Sequence, residues 1–116
     1  MKVGIGQDSH RFNFADKHKK LILGGIVFDD SPALDGNSDA DVILHSITNA
    51  ISSVTCVNIL GDVSDELCLN QGITDSSVYL KEALKHLHDL RIVHLSISIE
   101  CAKPKISPRI DEIRKN

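Results

Sequence analysis

Between Ser38 and Val54 the chain carries a pattern that only a helix satisfies. Ile43, Ile47, Ala50, Ile51 and Val54 fall on one stripe at helical spacing. Asp41, His45, Asn49 and Ser52 recur on the opposite, polar face. Ser38 followed by Asp41 is similar to a capping box with Asp in place of Glu, which predicts a helix start near Ser38. A stripe of this kind must be buried against something, and the flanking segments say what. Residues 2–8 read as a strand. Leu21-Ile-Leu-Gly-Gly-Ile-Val-Phe28 reads as two short strands, or one bulged strand, interrupted at Gly24-Gly25. From Ile92 to Ile99 apolar and polar residues alternate, the mark of a half-buried strand. A second helix begins at Thr74 or Asp75, with Leu80, Ala83, Leu84 and Leu87 toward the core and Lys81, Glu82, Lys85, His86 and Asp89 toward water. Pro108 suits the first turn of a third helix capped by Ser107. The order β, β, α, α, β, α predicts an α+β fold: a two-layer sandwich with a mixed β-sheet packed on helices.

The 116 residues suit one compact domain. Hydrophobic residues make up 41% but aromatic residues only 3%, so an aliphatic core of Ile, Leu, Val and Ala is expected. A net charge of −3 offers no general attraction to nucleic acid. The short basic run Lys17-His18-Lys19-Lys20 reads either as a solvated loop or as an anion-steering patch. No apolar run approaches the roughly 18 residues of a membrane span. Met1 leads into a strand-like segment rather than a secretory signal, and a cytoplasmic location is expected. Cys56, Cys68 and Cys101 are odd in number and show no CxxC spacing, which argues for reduced, packed thiols over disulfides or a cysteine zinc site.

The chemistry starts with Asp8-Ser9-His10. At a strand end, alternation puts Asp8 and His10 on one face, where a carboxylate oxygen and an imidazole nitrogen can hold a divalent metal such as zinc. Taken alone, the two residues fit a hydrogen-bonded or merely solvated pair better than a metal site. His45, on the polar helix face with Asp41 and Asn49, is the best third ligand. One carboxylate and two histidines with an open position suit catalytic zinc rather than structural zinc. His18, His86, His88 and His94 read as structural or solvated. Gly4-Ile5-Gly6 has no helix after it, so a dinucleotide loop is not expected. Gly61-Asp62-Val63-Ser64 is a turn whose acid and hydroxyl suit either a sugar or plain turn chemistry. Lys103-Pro104-Lys105 suits either phosphate or a polar loop.

Val3-Gly-Ile-Gly-Gln-Asp-Ser-His-Arg-Phe12 resembles the opening signature of the 2-C-methyl-D-erythritol 2,4-cyclodiphosphate synthase family. Leu23-Gly-Gly-Ile26 is similar to the family's next strand. Asn37-Ser-Asp-Ala-Asp-Val-Ile-Leu-His45 is similar to its His-Ser-Asp-Gly-Asp-x-x-x-His segment. Leu60-Gly-Asp62 and Pro104-Lys105 follow in order, so the resemblance covers the whole chain.

The resemblance implies a phosphorus–oxygen lyase of non-mevalonate isoprenoid synthesis, a homotrimer with sites between subunits. Such an enzyme converts 4-diphosphocytidyl-2-C-methyl-D-erythritol 2-phosphate into the 2,4-cyclodiphosphate and releases CMP. It implies zinc on Asp8, His10 and His45. It also implies a second ion, Mg²⁺ or Mn²⁺, held by a Thr-Thr-x-Glu motif that residues 1–116 lack. One cyclodiphosphate-synthase-like domain without the family's C-terminal part is therefore expected. Substrate contacts are implied at Asp8, Ser9, His10, Asn37, Ser38, Asp62, Val63 and Ser64. The cytidine loop is implied at Cys101, Ala102, Lys103, Pro104, Lys105, Ile106 and Ser107. Asn37 stands where the family has a histidine that contacts phosphate in the catalytic step; an amide can donate a hydrogen bond there but carries no charge. Ser64 replaces a glycine, and the family's Phe-Pro-Asp-Thr segment has no counterpart between Asp65 and Gln71. A non-catalytic metal- or nucleotide-binding trimer is the alternative to the enzyme.

Overall fold

A computed structural model describes residues 1–29, 31–101, 104 and 106–115. The described residues form four short strands, β1 (Phe12–Asn13), β2 (Leu21–Leu23), β3 (Ile26–Phe28) and β4 (Ala33–Leu34). Four α-helices follow: α1 (Val42–Thr55), α2 (Asp62–Asp65), α3 (Ser76–Lys85) and α4 (Ile110–Lys115). A π-helical turn, Glu66–Asn70, extends α2, and a 3₁₀ turn, Ser107–Arg109, leads into α4. The α+β class is borne out. The strands form two antiparallel pairs, β1 with β4 and β2 with β3, the latter in the register Leu21 with Phe28 and Leu23 with Ile26.

Helix α1 is shared by two cores. On one side Leu21, Leu23, Phe28, Leu34, Ala40 and Ile43 pack together; on the other, Ile51, Ile59, Cys68, Tyr79 and Ala83. Ile47 packs against both clusters. The expected stripe is therefore only part of what α1 buries. His45 and Thr48, from the nominally polar side, are buried too, because α3 packs there. The core is not purely aliphatic: Tyr79 and Phe28 are its largest fully buried side chains. On α3, Ala83 is buried as expected, Leu80 packs at the edge and Leu84 is exposed; Leu87, past the end of the helix, also packs against this core.

The helix begins later than the box Ser38–Asp41 predicts. Asp41 is the N-cap, accepting from the Leu44 amide at 3.1 Å. The same carboxylate accepts from the amides of Gly24 at 2.8 Å and Gly25 at 2.7 Å, which turn the β2–β3 hairpin with φ of 60° and 80°. Asp41 is wholly buried, and burial pushes its carboxyl upward, against the three amides that favour the charged form. Asp75 caps α3 as expected, accepting from Ser77 N at 2.9 Å. Pro108 does stand in the first turn of the last helical segment, with Ile106 rather than Ser107 as its cap. Arg109 docks that segment on the hairpin. Its guanidinium lies 4.3 Å from the Phe28 ring centre and donates to the Val27 carbonyl at 2.7 Å.

Two expected strands do not form. Residues 2–8 and 92–99 have no ladder partner among the described residues and flank, with α1, an apolar cleft of about 850 Å³. Alternation alone makes no strand, since backbone amides and carbonyls need a paired neighbour. Residues 91–100 are exposed along both alternating sets, Ile92 at 49% and Val93 at 69%. No helix among the described residues is long and apolar enough to cross a membrane.

Replacing Asp41 by Ala removes the cap of α1 and the carboxylate that binds the Gly24 and Gly25 turn amides. It is expected to cost about 2–4 kcal/mol of unfolding free energy, read by urea denaturation. A loss below about 1 kcal/mol would mean that water replaces the carboxylate.

Candidate metal centre

Asp8 and His10 lie on an irregular segment, and glycines bring that segment onto α1. A Cβ at Gly6 would overlap the Ser46 carbonyl and the Ala50 backbone; one at Gly4 would overlap the Ala50 carbonyl and Val54. With no side chain at either position, the backbone lies directly on the helix. Ser53 Oγ accepts from the Ile5 amide at 3.1 Å, and the Asn49 side-chain amide donates to the Gln7 carbonyl at 3.0 Å. These contacts deliver Asp8 and His10 to His45, one turn into the helix.

The three side chains converge. Asp8 Oδ2 lies 2.9 Å from His10 Nε2 and 3.1 Å from His45 Nδ1, and the two nitrogens are 3.4 Å apart. Ligand atoms bound tetrahedrally at zinc–ligand lengths lie about 3.3 Å from one another, so the spacing suits a small divalent ion. The outer nitrogens are occupied as well. His10 Nδ1 donates to the Asp35 carbonyl at 2.8 Å, and His45 Nε2 meets Ser76 Oγ at 2.7 Å. Because a carbonyl can only accept, neutral His10 turns a lone pair inward toward Asp8.

Electrostatics agree with the geometry. Burial pushes the Asp8 carboxyl upward, but hydrogen bonds and charge from His10 and His45 outweigh it and hold Asp8 well below the usual carboxylate range. His10 is raised, chiefly by its hydrogen bond to Asp8 and against the desolvation that opposes its charge. Among the described residues, Asp8, His10 and His45 form the one group of three or more such ligands, and they make a candidate site for a divalent metal.

The site opens into a cavity of about 230 Å³ lined by Asp8, His10, Asn37, Ser38, His45 and Ser64, with Cys68 and Tyr79 behind. Asn37 is exposed at the rim, and its carbonyl accepts from Cys68 Sγ at 2.9 Å. Ser38 Oγ accepts from the Ala40 amide at 3.1 Å, which leaves its own proton to donate. Ser64 is buried, and its hydroxyl is engaged with Gly61. The other expected contacts lie elsewhere. Ser9 and Cys101 border the larger cleft. Asp62 and Val63 are exposed on α2, Ile106 packs against the first core, and Ser107 opens the 3₁₀ turn. Among the described residues, none of these, nor Pro104, lines the smaller cavity. The expectations on Ala102, Lys103 and Lys105 fall outside the described residues. Sequence reasoning missed Ser76, Asp39 and Tyr79. Their only local signal is that Asp39 stands beside Asp41 and Ser76 beside a helix cap.

A YgbB-family model matches residues 1–116. The chain belongs to the YgbB family. As a family member it is 50% identical over 116 residues to a 2-C-methyl-D-erythritol 2,4-cyclodiphosphate synthase from Chlamydia felis, covering 99% of this chain and 66% of the relative. It is 51% identical to the protein of that name from Chlamydia abortus, with the same coverage. The chain thus spans just under two thirds of the length of these curated relatives. Its fold also matches a bifunctional IspDF from Campylobacter jejuni, with a TM-score of 0.73 and 22% identity over 97% of this chain and 30% of that one. It matches a solved 2C-methyl-D-erythritol-2,4-cyclodiphosphate synthase as well, with a TM-score of 0.63 and 23% identity over 98% of this chain and 75% of that one.

The two histidines must shed protons to bind metal. Calorimetric titration with a divalent ion is expected to show one site per chain whose affinity drops as pH falls through the raised His10 range. The metal-free protein should show the opposite trend. The Asp8–His10 pair stabilises it below that range and ceases to do so as pH rises through it. Gly6→Ala, which touches no ligand, should weaken metal binding by lifting Asp8 and His10 off α1; unchanged affinity would refute that role for the close approach.

Proposed function

We propose that this chain belongs to a 2-C-methyl-D-erythritol 2,4-cyclodiphosphate synthase, which cyclises 4-diphosphocytidyl-2-C-methyl-D-erythritol 2-phosphate and releases CMP. The observation that carries this reading is the meeting of Asp8, His10 and His45 on the wall of a cavity whose rim bears Asn37 and Ser38. One carboxylate and two imidazoles fit zinc and leave a coordination position for a substrate oxygen. When bound there, the ion supplies positive charge to a phosphoryl oxygen.

The chain's own residues do the positioning. In the reaction an oxygen of the 2-phosphate attacks the nearer phosphorus of the diphosphate, and the bond to CMP breaks. Two anionic groups must approach each other, so the barrier is one of orientation and charge rather than of a missing nucleophile. The Asn37 amide donates to a phosphate oxygen at the rim, and the Ser38 hydroxyl donates beside it. The second ion, Mg²⁺ or Mn²⁺, the homotrimer, and the reading of cytidine by residues 101–107 rest on the family resemblance. So does the assignment of residues 1–116 to a single cyclodiphosphate-synthase-like domain. Cys56, Cys68 and Cys101 form no disulfide among the described residues, which fits the reducing cytoplasm.

Asn37 favours a second reading, a metal- and nucleotide-binding relative that turns over slowly or not at all. Direct measurement of CMP release separates the two. The natural protein containing this chain, supplied with zinc and magnesium, is expected to release CMP, and His45→Ala should cut the rate at least about 100-fold. Asn37→His should raise it by restoring a charged donor. No release by either the natural protein or Asn37→His would overturn the enzymatic reading.

A further inference from the structure

His45 is held from behind by a chain of groups that the family motif does not contain as a unit. Its Nε2 lies 2.7 Å from Ser76 Oγ, and Ser76 Oγ is in a short hydrogen bond with Asp39 Oδ1. Ser76 is wholly buried, and His45 is 7% exposed. A serine hydroxyl by itself decides nothing, because it can donate to or accept from an imidazole nitrogen.

Asp39 removes the ambiguity. Its Oδ1 accepts from the Asp41 amide and its Oδ2 from the Ser76 amide, each at 3.1 Å. With backbone donors on both oxygens, Asp39 is held as an acceptor. The Ser76 proton therefore goes to Asp39, the Ser76 lone pair faces His45, and His45 Nε2 must carry a proton to complete the contact. A neutral imidazole has only one such proton, which leaves Nδ1 bare on the side facing Asp8 and His10.

Nor is the Ser76 hydroxyl occupied with starting the helix. Asp75 caps α3, and the Ser76 backbone amide makes its own separate bond to Asp39 Oδ2. The Asp39 amide in turn donates to the Thr74 carbonyl at 2.9 Å, so the two loops are tied by main chain whether or not the hydroxyl is present. The Tyr79 ring, 6.2 Å from that of His45, closes one face of the imidazole.

We propose that Ser76 and Asp39 are positioning residues that fix His45 as its Nε2–H tautomer and aim the Nδ1 lone pair into the metal site. This rests on the reading of Asp8, His10 and His45 as metal ligands, but the tautomer can be measured without metal. Partners that orient a ligating histidine are commonly worth about 10–100-fold in metal affinity.

The test uses ¹⁵N-labelled natural protein containing this chain, at a pH where the imidazoles are neutral. Long-range ¹H–¹⁵N spectra of the metal-free form are expected to show His45 protonated on Nε2. In Ser76→Ala the two tautomers should mix, and zinc affinity, read by competition with a chromophoric chelator, should fall about 10–100-fold. Ser76→Thr keeps the hydroxyl and should restore both. Asp39→Ala removes the acceptor of the Ser76 proton, frees that hydroxyl to donate to His45, and should move the His45 proton toward Nδ1. Dispersed amide spectra establish that each variant is folded, and Asp39→Ala gives an independent reading if Ser76→Ala is not. The proposal is overturned if His45 stays on Nε2–H in folded Ser76→Ala or Asp39→Ala, or if Ser76→Ala binds zinc within twofold of the natural protein. Failure of the natural protein to bind zinc at all would instead overturn the ligand assignment on which the proposal rests.

Discussion

Two carboxylates separated by one residue, Asp39 and Asp41, tie the structure together around the start of α1. Asp41 joins that helix to the β2–β3 hairpin, and Asp39 joins it to the start of α3. Ala40 between them is wholly buried in a left-handed conformation, φ 55°, and this turn lets adjacent acids reach different elements. Neither acid meets a cation among the described side chains; both are satisfied by backbone amides and one hydroxyl. A buried carboxylate such as Asp41, and a half-buried one such as Asp39, are costly to orphan, so the loop has few alternative conformations. Since His45 lies four residues beyond Asp41, whatever fixes the loop also fixes the ligand.

The candidate centre depends on the same economy of donors. Asp35's carbonyl takes the outer proton of His10, and Ser76 meets the outer nitrogen of His45. What points inward is a carboxylate and two imidazole nitrogens within 3.4 Å of one another, an arrangement that positive charge stabilises. A proton on His10 supplies it at low pH, and a divalent ion supplies it better once the histidines are neutral. The glycines at positions 4 and 6 matter for the same reason, since a Cβ at either would hold the first two ligands away from the third.

Much of this was legible in the sequence, and the remainder was illegible for physical reasons. Asp8, His10 and His45 were readable as a donor set because their chemistry is scarce and their spacing sensible. The β2–β3 hairpin was readable because Gly24-Gly25 can turn where other residues cannot. The burial of His45 was not, since helical periodicity separates apolar from polar faces and α3 happens to cover both. Ser76 and Asp39 were hidden because their partnership spans 37 residues and their local signals are those of an ordinary cap and loop. The alternation at residues 92–99 is clear, yet a strand is a relation between two segments, and alternation describes only one of them.

The rim of the cavity carries the last constraint. On the proposed reading, a zinc ion bound by one carboxylate and two neutral imidazoles leaves one net positive charge facing the cavity. That charge attracts a phosphoryl oxygen, but it lies on one side. The developing charge on the other side must be met by donors at the rim, where this chain offers the neutral amide of Asn37 and the hydroxyl of Ser38. Neutral donors stabilise an anion less than charged ones do, roughly by half per hydrogen bond. On that reading the metal centre can be complete in its ligands while the neutral donors at the rim, Asn37 among them, limit the rate.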